Sequence, residues 1–293
     1  MTTTRSTATA WSGALSDDER AAVGHVAREL AEHRRVGVAL SGGVDSSTLL
    51  ALATDTLGRG RVLALVGVSP SLAAEERAAA HDVAAFVGVP VVEVPTAETE
   101  RAAYRANGPD RCFHCRDTLF TTIEEEVLDR YELDAVAYGE NADDIVRRDR
   151  PGARAATEHG VLRPLAAAGI DKAAVRRIAR AMNLPSADKP AAPCLASRIP
   201  HFEQVTPEKM SEIERSERAL HRLGFPDCRV RHHGDVARVE LPADRIAEAT
   251  GERRKAVLDA VRGAGFRFVS VDLAGLQPGA FTLPLIDGGR CAG

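Results

Sequence analysis

The sequence contains few aromatic residues and no surplus of basic ones. Only 4% of its 293 residues are Phe, Trp or Tyr, which weakens any function that stacks bases or sugars on aromatic rings. Lys and Arg number 38 against 42 Asp and Glu, which gives a net charge of -4. Proteins that hold a long polyanion usually carry a basic excess. We therefore predict no nucleic-acid partner, although a local basic patch is compatible with this composition.

Long hydrophobic runs are also absent. No stretch of about 18 apolar residues occurs, so no membrane-spanning segment is predicted. Residues 1–5 lack the apolar centre of a signal peptide, so we expect a cytoplasmic protein in which residues 1–15 form a flexible tail. The five cysteines are an odd number in a reducing compartment, which disfavours a disulfide framework. Metal ligation and nucleophilic chemistry are then the remaining roles for cysteine.

Apolar segments alternate with amphipathic ones up to residue 138. Ser16 and Glu19 form a capping-box pattern that opens a helix predicted to end near Glu32. Residues 36–40 are wholly apolar, as expected of a parallel strand buried on both faces. Further strands are predicted at 61–68, 89–94 and 134–138, and helices at 47–57, 73–87 and 115–128. This alternation predicts an α/β fold with a doubly wound parallel sheet over residues 16–188.

The pattern changes at Lys189, where the segment KPAAP is typical of a stiff linker. Beyond it we predict helices at 206–223 and 243–262 and strands at 228–232, 236–241 and 266–271. We interpret residues 189–293 as a smaller C-terminal α+β domain. This domain is the predicted location of substrate binding and sulfur transfer, for the reasons given below.

The segment Ser41–Ser47, with the sequence SGGVDSS, joins the first predicted strand to a helix. Gly42 and Gly43 allow a tight turn that exposes backbone amides to a polyanion, and the helix N-terminus adds a positive dipole end. Additional donors are the hydroxyls of Ser41, Ser46 and Ser47. Asp45 would repel phosphate by itself, so we predict that it holds Mg²⁺. The segment lacks the Gly-Lys-Ser/Thr ending of a Walker A loop and resembles the PP-loop of ATP pyrophosphatases, which cleave ATP between the α and β phosphates.

A second polar segment, Tyr138–Asp144 with the sequence YGENADD, follows the fourth predicted strand. Carboxylates packed this densely are costly to bury unless they meet a cation or a polar ligand. We predict that Glu140 and Asp143 contact substrate, and a solvated acidic loop is the alternative. An arginine from residues 149–152 or 163–165 could neutralise pyrophosphate or a substrate carboxylate.

Three cysteines form the most specific pattern in the chain. Cys112 and Cys115 form a CxxC pair, and Cys194 lies in the segment PCLASR. A structural zinc site would need a fourth ligand, and His114 lies inside the pair, where it would point away. Three cysteines that hold an iron–sulfur cubane leave one iron open for an added ligand such as sulfide. Cys228 is interpreted as a buried small hydrophobe, and Cys291 lies two residues from the end.

Together these segments resemble the LarE family, the ATP-dependent sulfur transferases of nickel-pincer cofactor synthesis. The similarity covers nearly the whole chain and rests on six segments: SGGVDSS (41–47), RCFHC (111–115), YGENADD (138–144), DRPG (149–152), KPAAPCLASR (189–198) and RVRHHGDVARVE (229–240). It implies that the substrate is pyridinium-3,5-biscarboxylic acid mononucleotide, whose carboxylates become thiocarboxylates. It also implies a symmetric homo-oligomer.

The resemblance further implies the type of sulfur chemistry. Members with a single cysteine at the position of Cys194 give up their own sulfur, whereas those with three cysteines are thought to carry sulfide on a [4Fe-4S] cluster. Because this chain has Cys112, Cys115 and Cys194, it resembles the cluster type. The source of the sulfide stays open.

The implied chemistry is consistent with the loop at residues 41–47. A carboxylate is a poor acyl donor until adenylation gives it AMP as a leaving group and releases pyrophosphate, after which a sulfur nucleophile can attack. Arg229 and Arg231 lie two apart in a predicted strand and therefore share a face. We predict that they clamp the substrate's phosphate and carboxylate, and that Ser197 and Arg198 contact substrate beside Cys194. The expected catalytic residues are Cys194, Asp45, Arg229 and Arg231.

Three other functions fit parts of this pattern. A tRNA thiolase can also combine a PP-loop with three cysteines and a cluster, but the acidic balance and the absence of a recognisable RNA-binding module disfavour it. An amide-forming synthetase that uses ammonia would leave the three cysteines without a role. A nucleotide-binding regulator or zinc-stabilised module without turnover is the alternative from a different class.

Overall fold

The computed structural model describes residues 10–145, 152–277 and 281. Their backbone divides into two compact units that are interleaved along the sequence. The first unit contains the described residues up to 68, 74–96 and those of 116–192, and the second contains 69–73, 97–115 and those from 193 onward. The single boundary predicted after residue 188 does not describe this division, because two segments from the first half of the chain belong to the second unit.

The first unit is built on a four-stranded sheet. Its strands are β1 (Val36–Ala39), β2 (Val62–Val68), β3 (Val91–Pro95) and β4 (Ala135–Tyr138). They lie in the order β3-β2-β1-β4, and every neighbouring pair is parallel. The central strands are apolar and largely buried, which is why they read as continuous hydrophobic runs. The predicted α/β fold with a parallel sheet is confirmed.

The helices follow the strands as the alternating pattern predicts, with additional short helices late in the first unit. In chain order the described α-helices are α1 (Asp17–Ala31), α2 (Val44–Leu57), α3 (Ala74–Val87), α4 (Ala102–Arg105), α5 (Arg111–Glu126), α6 (Ala142–Ile145), α7 (Gly152–Glu158), α8 (Pro164–Ala167), α9 (Lys172–Ala181), α10 (Pro207–Arg222), α11 (Ile246–Thr250) and α12 (Arg254–Gly263). Within the described residues, no helix has the length and apolar character needed to cross a bilayer.

The start of α1 shows both hydrogen bonds of the predicted capping box. The amide of Glu19 donates to Ser16 Oγ at 3.2 Å, and the amide of Ser16 donates to Glu19 Oε2 at 2.9 Å. Ordered structure begins before this cap, because Ala10–Ala14 form a 3-10 helix and Leu15 is only 5% exposed. The predicted tail is therefore wrong over residues 10–15, and residues 1–9 lie outside the described part of the chain.

The second unit contains a three-stranded sheet, β5 (Arg229–His233), β6 (Val236–Glu240) and β7 (Phe268–Val271). Strands β5 and β6 are antiparallel, whereas β6 and β7 are parallel. Cys228 is fully buried in the core beneath this sheet, which agrees with its interpretation as a small hydrophobe. The single helix predicted over 243–262 is wrong. The backbone leaves the helical region at Gly251 (φ −96°, ψ −106°), and α11 and α12 are separate helices.

A separate hydrophobic cluster joins two distant parts of the second unit. Its buried members are Tyr104, Leu195, Ala196, Ile199, Val205, Met210 and Ile213. Cys115 and Ala73 pack against the same cluster. Apolar contact therefore explains why residues 97–115 belong to the second unit.

Candidate functional site

The SGGVDSS segment, at residues 41–47, connects β1 to α2 in the first unit. Gly42 has a φ of +72°, and a Cβ built on it would lie 2.9 Å from the backbone nitrogen of Ala80, so both conformation and space require glycine. Gly43 is the N-cap of α2 and provides no side-chain cap, so the first amides of α2 are available to a ligand. This geometry suits an anion at the helix N-terminus.

The serines of the loop shape it in this structure. Ser46 and Ser47 are buried, and their hydroxyls donate to the carbonyl of Gly43 at 3.2 and 2.8 Å. Ser46 Oγ also accepts a hydrogen bond from the amide of Ser41 at 3.2 Å. Ser41 is the exposed serine of the three. The predicted donation of all three hydroxyls to phosphate stays a prediction.

Asp45 lies in a polar network at the start of α2. Asn141 Nδ2 donates to its Oδ1 at 3.1 Å, and Lys172 Nζ pairs with its Oδ2. Lys189 lies at the same loop, where its Nζ is 3.3 Å from the carbonyl oxygen of Gly42. Neither lysine was singled out from the sequence. The signal for Lys172 is weak, because the residue only opens a short helix after the N-cap Asp171.

The loop after β4 lies against the SGGVDSS segment. A Cβ on Gly139 would be 2.6 Å from the backbone nitrogen of Ser46, so the two loops touch through their backbones. Strand order reverses at β1, which places these loops at the topological switch point where parallel sheets bind ligands.

Glu140 is the buried carboxylate of this second loop. It is 1% exposed, and its Oε1 has no hydrogen-bond partner among the described residues. Its Oε2 accepts a hydrogen bond from Arg163 Nη1 at 3.4 Å. Asp143, in contrast, is exposed and accepts from the amide of Lys172 at 2.9 Å. Asp149 and Arg150 lie outside the described residues.

Cys112 and Cys115 lie in the second unit, in the first turn of α5. The helix begins at Arg111 and not at residue 115 as predicted, so the two thiols are one turn apart on the same helix face. Cys194 is the N-cap of a 3-10 turn over Leu195–Arg198. Cys112 and Cys194 are exposed and Cys115 is partly buried. Within the described residues no disulfide links the cysteines, and Cys291 lies outside them.

Arg111 lies among these thiols although it is only 7% exposed. Its Nη1 donates to Asn107 Oδ1 at 2.5 Å and to the carbonyl of Ala196 at 2.9 Å. Burial by itself lowers the pKa of Arg111, but negative charge on Cys194 and Cys112 outweighs it, and the pKa is raised. Arg111 thus marks a point that both Cys112 and Cys194 approach.

Tyr104 marks the corresponding point for Cys115. Burial raises the pKa of its hydroxyl, and negative charge on Cys194 and then on Cys115 raises it further. The structure therefore brings the three predicted cysteines together around Arg111 and Tyr104. Within the described residues, no three His, Cys, Asp or Glu side chains are grouped as ligands of a single metal ion.

Arg198 and Ser197 build the turn that carries Cys194. Arg198 is buried and forms two 3.0 Å bonds with the carboxylate of Glu217, while its Nη1 donates to the carbonyl of Cys194 at 3.1 Å. Ser197 Oγ donates to the same carbonyl at 2.7 Å. Because both side chains have partners here, their predicted contact with substrate stays a prediction.

Arg229 and Arg231 lie on β5 as alternate residues, as predicted. Arg231 is buried in a two-pronged pair with Glu240, at 2.9 and 2.8 Å, and donates to the carbonyl of Ser197 at 3.1 Å. Arg229 is less enclosed. Its pKa is lowered by burial and by the positive charge of Arg198, so an added anion would relieve unfavourable charge at this position.

The first unit has the sequence and geometry of a PP-loop nucleotide-binding domain, and residues 20–137 match the asparagine synthase family. The chain is 39% identical over 253 residues to an uncharacterised protein of Synechocystis sp., covering 84% of this chain and 91% of that protein. It is 30% identical over 254 residues to the pyridinium-3,5-bisthiocarboxylic acid mononucleotide synthase of Lactiplantibacillus plantarum, covering 85% of this chain and 90% of that protein. The chain therefore belongs to the LarE family, within the PP-loop ATP pyrophosphatases.

Proposed function

We propose that this chain is an ATP-dependent sulfur transferase of nickel-pincer cofactor biosynthesis. It adenylates a carboxylate of pyridinium-3,5-biscarboxylic acid mononucleotide, releases pyrophosphate and converts the carboxylate to a thiocarboxylate. The similarity to the L. plantarum synthase over most of both chains supports the substrate class. The observation that carries the proposal is that one chain combines a phosphate-type loop with three cysteines gathered around a buried arginine.

The adenylation step belongs to the first unit. The amides at Gly42 and Gly43 and the N-terminus of α2 would bind the phosphates that leave as pyrophosphate. Lys172 and Lys189 add positive charge beside this loop. Asp45 would hold Mg²⁺, which would neutralise the phosphates, and the buried Glu140 offers an unpaired oxygen to the substrate or its hydroxyls.

The sulfur-transfer step belongs to the second unit. The three thiols fit a cluster better than a single ion, because their grouping is not that of ligands around one metal. Cys112, Cys115 and Cys194 would hold a [4Fe-4S] cluster, whose contribution when bound would be a transferable sulfide. Arg111 would balance the negative charge of the thiolates. Arg229 is the better placed of the β5 arginines to bind the substrate's anionic groups, because Arg231 is already paired with Glu240.

The direct test uses protein purified without oxygen. Pyrophosphate release is measured with ATP, Mg²⁺ and the pyridinium substrate, and the thiocarboxylate is detected by mass spectrometry after sulfide is added. We expect pyrophosphate release to depend on the pyridinium substrate and to be lost in Asp45→Asn. Release that depends on tRNA instead would replace this proposal with a tRNA thiolase.

Elemental analysis tests the sulfur carrier separately. We expect iron and acid-labile sulfide in the wild type, and a large loss of both in Cys112→Ser, Cys115→Ser and Cys194→Ser. Cys228→Ser is the matched control, because this buried cysteine lies in the core of the other sheet. Cluster content that survives loss of any of the three cysteines would contradict the cluster. Conversion of Cys194 to dehydroalanine would show instead that the protein gives up its own sulfur.

A further inference from the structure

Two buried polar atoms near the three cysteines have no hydrogen-bond partner among the described residues. They are the hydroxyl oxygen of Tyr104 and Oε2 of Glu98, and both side chains belong to residues that are 1% exposed. Buried polar groups in folded proteins are almost always paired, because an unpaired one loses its bonds to water without replacement. Two such atoms in one region point to a ligand that both of them bind.

Glu98 is held firmly by its other oxygen. Glu98 Oε1 accepts hydrogen bonds from the hydroxyls of Ser69 and Ser71, the latter at 3.1 Å. The carbonyl of Ser71 in turn accepts a bond from the amide of Leu195 at 2.9 Å. The carboxylate is thus fixed to the same segment that holds the residue after Cys194, and Oε2 is left as a fixed acceptor.

Tyr104 brings a donor to the same region. Its ring is part of the cluster that contains Leu195 and Ala196 and against which Cys115 packs. The charges of Cys194, Cys115 and Glu98 all act on its hydroxyl. A phenol at neutral pH is a hydrogen-bond donor, so this hydroxyl seeks an acceptor near the cysteines.

The ligand that fits both atoms has to accept a hydrogen bond from Tyr104 and donate one to Glu98. Hydrogen sulfide and its hydrosulfide ion have both properties, since sulfur has lone pairs and an S–H bond. The guanidinium of Arg111 also acts on Tyr104 and on Cys194, and it would offset the negative charge of a hydrosulfide beside Glu98. Water has the same bonding pattern and is the competing occupant.

We propose that Tyr104 and Glu98 bind the inorganic sulfide that the transfer reaction consumes, with the Tyr104 hydroxyl donating to sulfur and Glu98 Oε2 accepting from S–H. The inference rests on the proposed function for its role in turnover. It adds a sulfide site built from side chains that neither hold the cluster nor contact ATP. In this arrangement Tyr104 and Glu98 position the nucleophile.

The first test measures binding without turnover. The thermal midpoint of the full chain is followed anaerobically in sodium hydrosulfide and, for comparison, in equal sodium chloride. A ligand that binds only the folded state raises the midpoint with concentration, so we expect hydrosulfide to stabilise the wild type. In Tyr104→Phe the concentration needed should rise about tenfold, the loss expected for one hydrogen bond to a charged group. Tyr131→Phe, which removes the same atom from a tyrosine of the first unit, should respond as the wild type does.

The second test separates this site from the proposed function. In Tyr104→Phe the KM for sulfide should rise about tenfold while substrate-dependent pyrophosphate release is unchanged, because adenylation precedes sulfur transfer. Glu98→Gln provides the same two readouts if Tyr104→Phe does not fold. Equal hydrosulfide responses in the wild type and the variant would mean that the two atoms bind only water, and would overturn the inference. Tyr104-dependent stabilisation in a protein that releases no pyrophosphate with the pyridinium substrate would leave the sulfide site standing and refute the proposed function.

Discussion

The Nη1 atom of Arg111 lies 2.9 Å from the carbonyl oxygen of Ala196, across 85 residues of sequence. Arg111 directly precedes Cys112, and Ala196 lies two residues after Cys194. This single bond therefore ties the CxxC turn of α5 to the turn that carries the third cysteine. Because the guanidinium also bonds Asn107, its planar fork fixes the geometry as well as supplying charge.

Arg111→Lys tests that relationship. Lysine keeps the positive charge but cannot make the same forked contacts, so the free energy of unfolding should fall by about 1–3 kcal/mol. Iron content after anaerobic reconstitution should fall with it, because the two cysteine-bearing turns are no longer tied. Urea unfolding and iron analysis measure the two effects. The exposed Arg262→Lys should match the wild type in both, and an unchanged stability in Arg111→Lys would show that the fork is dispensable.

Gly139→Ala tests the contact between the two strand-end loops of the first unit. The added methyl would lie 2.6 Å from the backbone nitrogen of Ser46, so one of the loops has to shift. Overpacking of this kind costs about 1–3 kcal/mol of stability and should also disturb the amides at the phosphate loop. We expect a lower urea midpoint and a strong loss of pyrophosphate release. Gly60→Ala is the control, because nothing lies within 4 Å of the added methyl there.

Lys172→Gln tests whether the lysine paired with Asp45 acts on the phosphates. Loss of a charge-assisted hydrogen bond is worth about 1.5–3 kcal/mol, so kcat/KM for ATP should fall roughly 10- to 100-fold. The measurement is pyrophosphate release at varied ATP. Lys255→Gln removes an equally charged side chain from an exposed pair with Asp259 and should leave the rate unchanged. A normal kcat/KM in Lys172→Gln would restrict this lysine to a structural role.

His159 predicts a pH dependence of stability. Its Nε2 lies 3.0 Å from Asp117 and its Nδ1 lies 2.9 Å from Glu124. Burial lowers the pKa of His159, but the two carboxylates outweigh burial, and the pKa is raised. A raised pKa means that the pair stabilises the fold fully below the unfolded value of about 6.5, and that this stability is lost as pH rises through the folded pKa.

We therefore expect His159→Gln to be less stable than the wild type at pH 5.5 and the difference to shrink as pH rises above about 6.5. Urea unfolding at a series of pH values measures it. The exposed His25→Gln should follow the wild-type curve throughout. A stability difference for His159→Gln that is constant with pH would show that the histidine contributes packing and no ion pair.

The parallel sheet and the phosphate-type loop could be predicted from the sequence because both are written in local patterns. Buried parallel strands read as apolar runs, and SGGVDSS needs its glycines where the backbone turns at Gly42. The gathering of the three cysteines was also predictable in outline, but only from their pattern and the family resemblance. The start of α5 at Arg111 was missed, because no capping residue precedes it in a recognisable pattern.

The remaining features depend on contacts between distant residues. Lys172 meets Asp45 across 127 residues, and no local pattern marks that lysine as part of the loop. Arg198 looked like a residue for substrate, but the fold encloses it with Glu217, which lies on α10. Tyr104 carries no sequence signal at all, since an isolated tyrosine in a helical stretch most often fills a core.

The interleaved second unit has a consequence for how the protein is made. During synthesis Cys112 and Cys115 leave the ribosome well before residues 193 onward, so the partners that enclose them do not yet exist. Over that interval the CxxC pair is accessible to oxidants and stray metal ions, and Arg111 has no Ala196 carbonyl to bond. The nascent chain can complete its parallel sheet first, whereas the thiol pocket closes only after the C-terminal segment arrives. Cysteine maturation is consequently a late event in the life of each molecule.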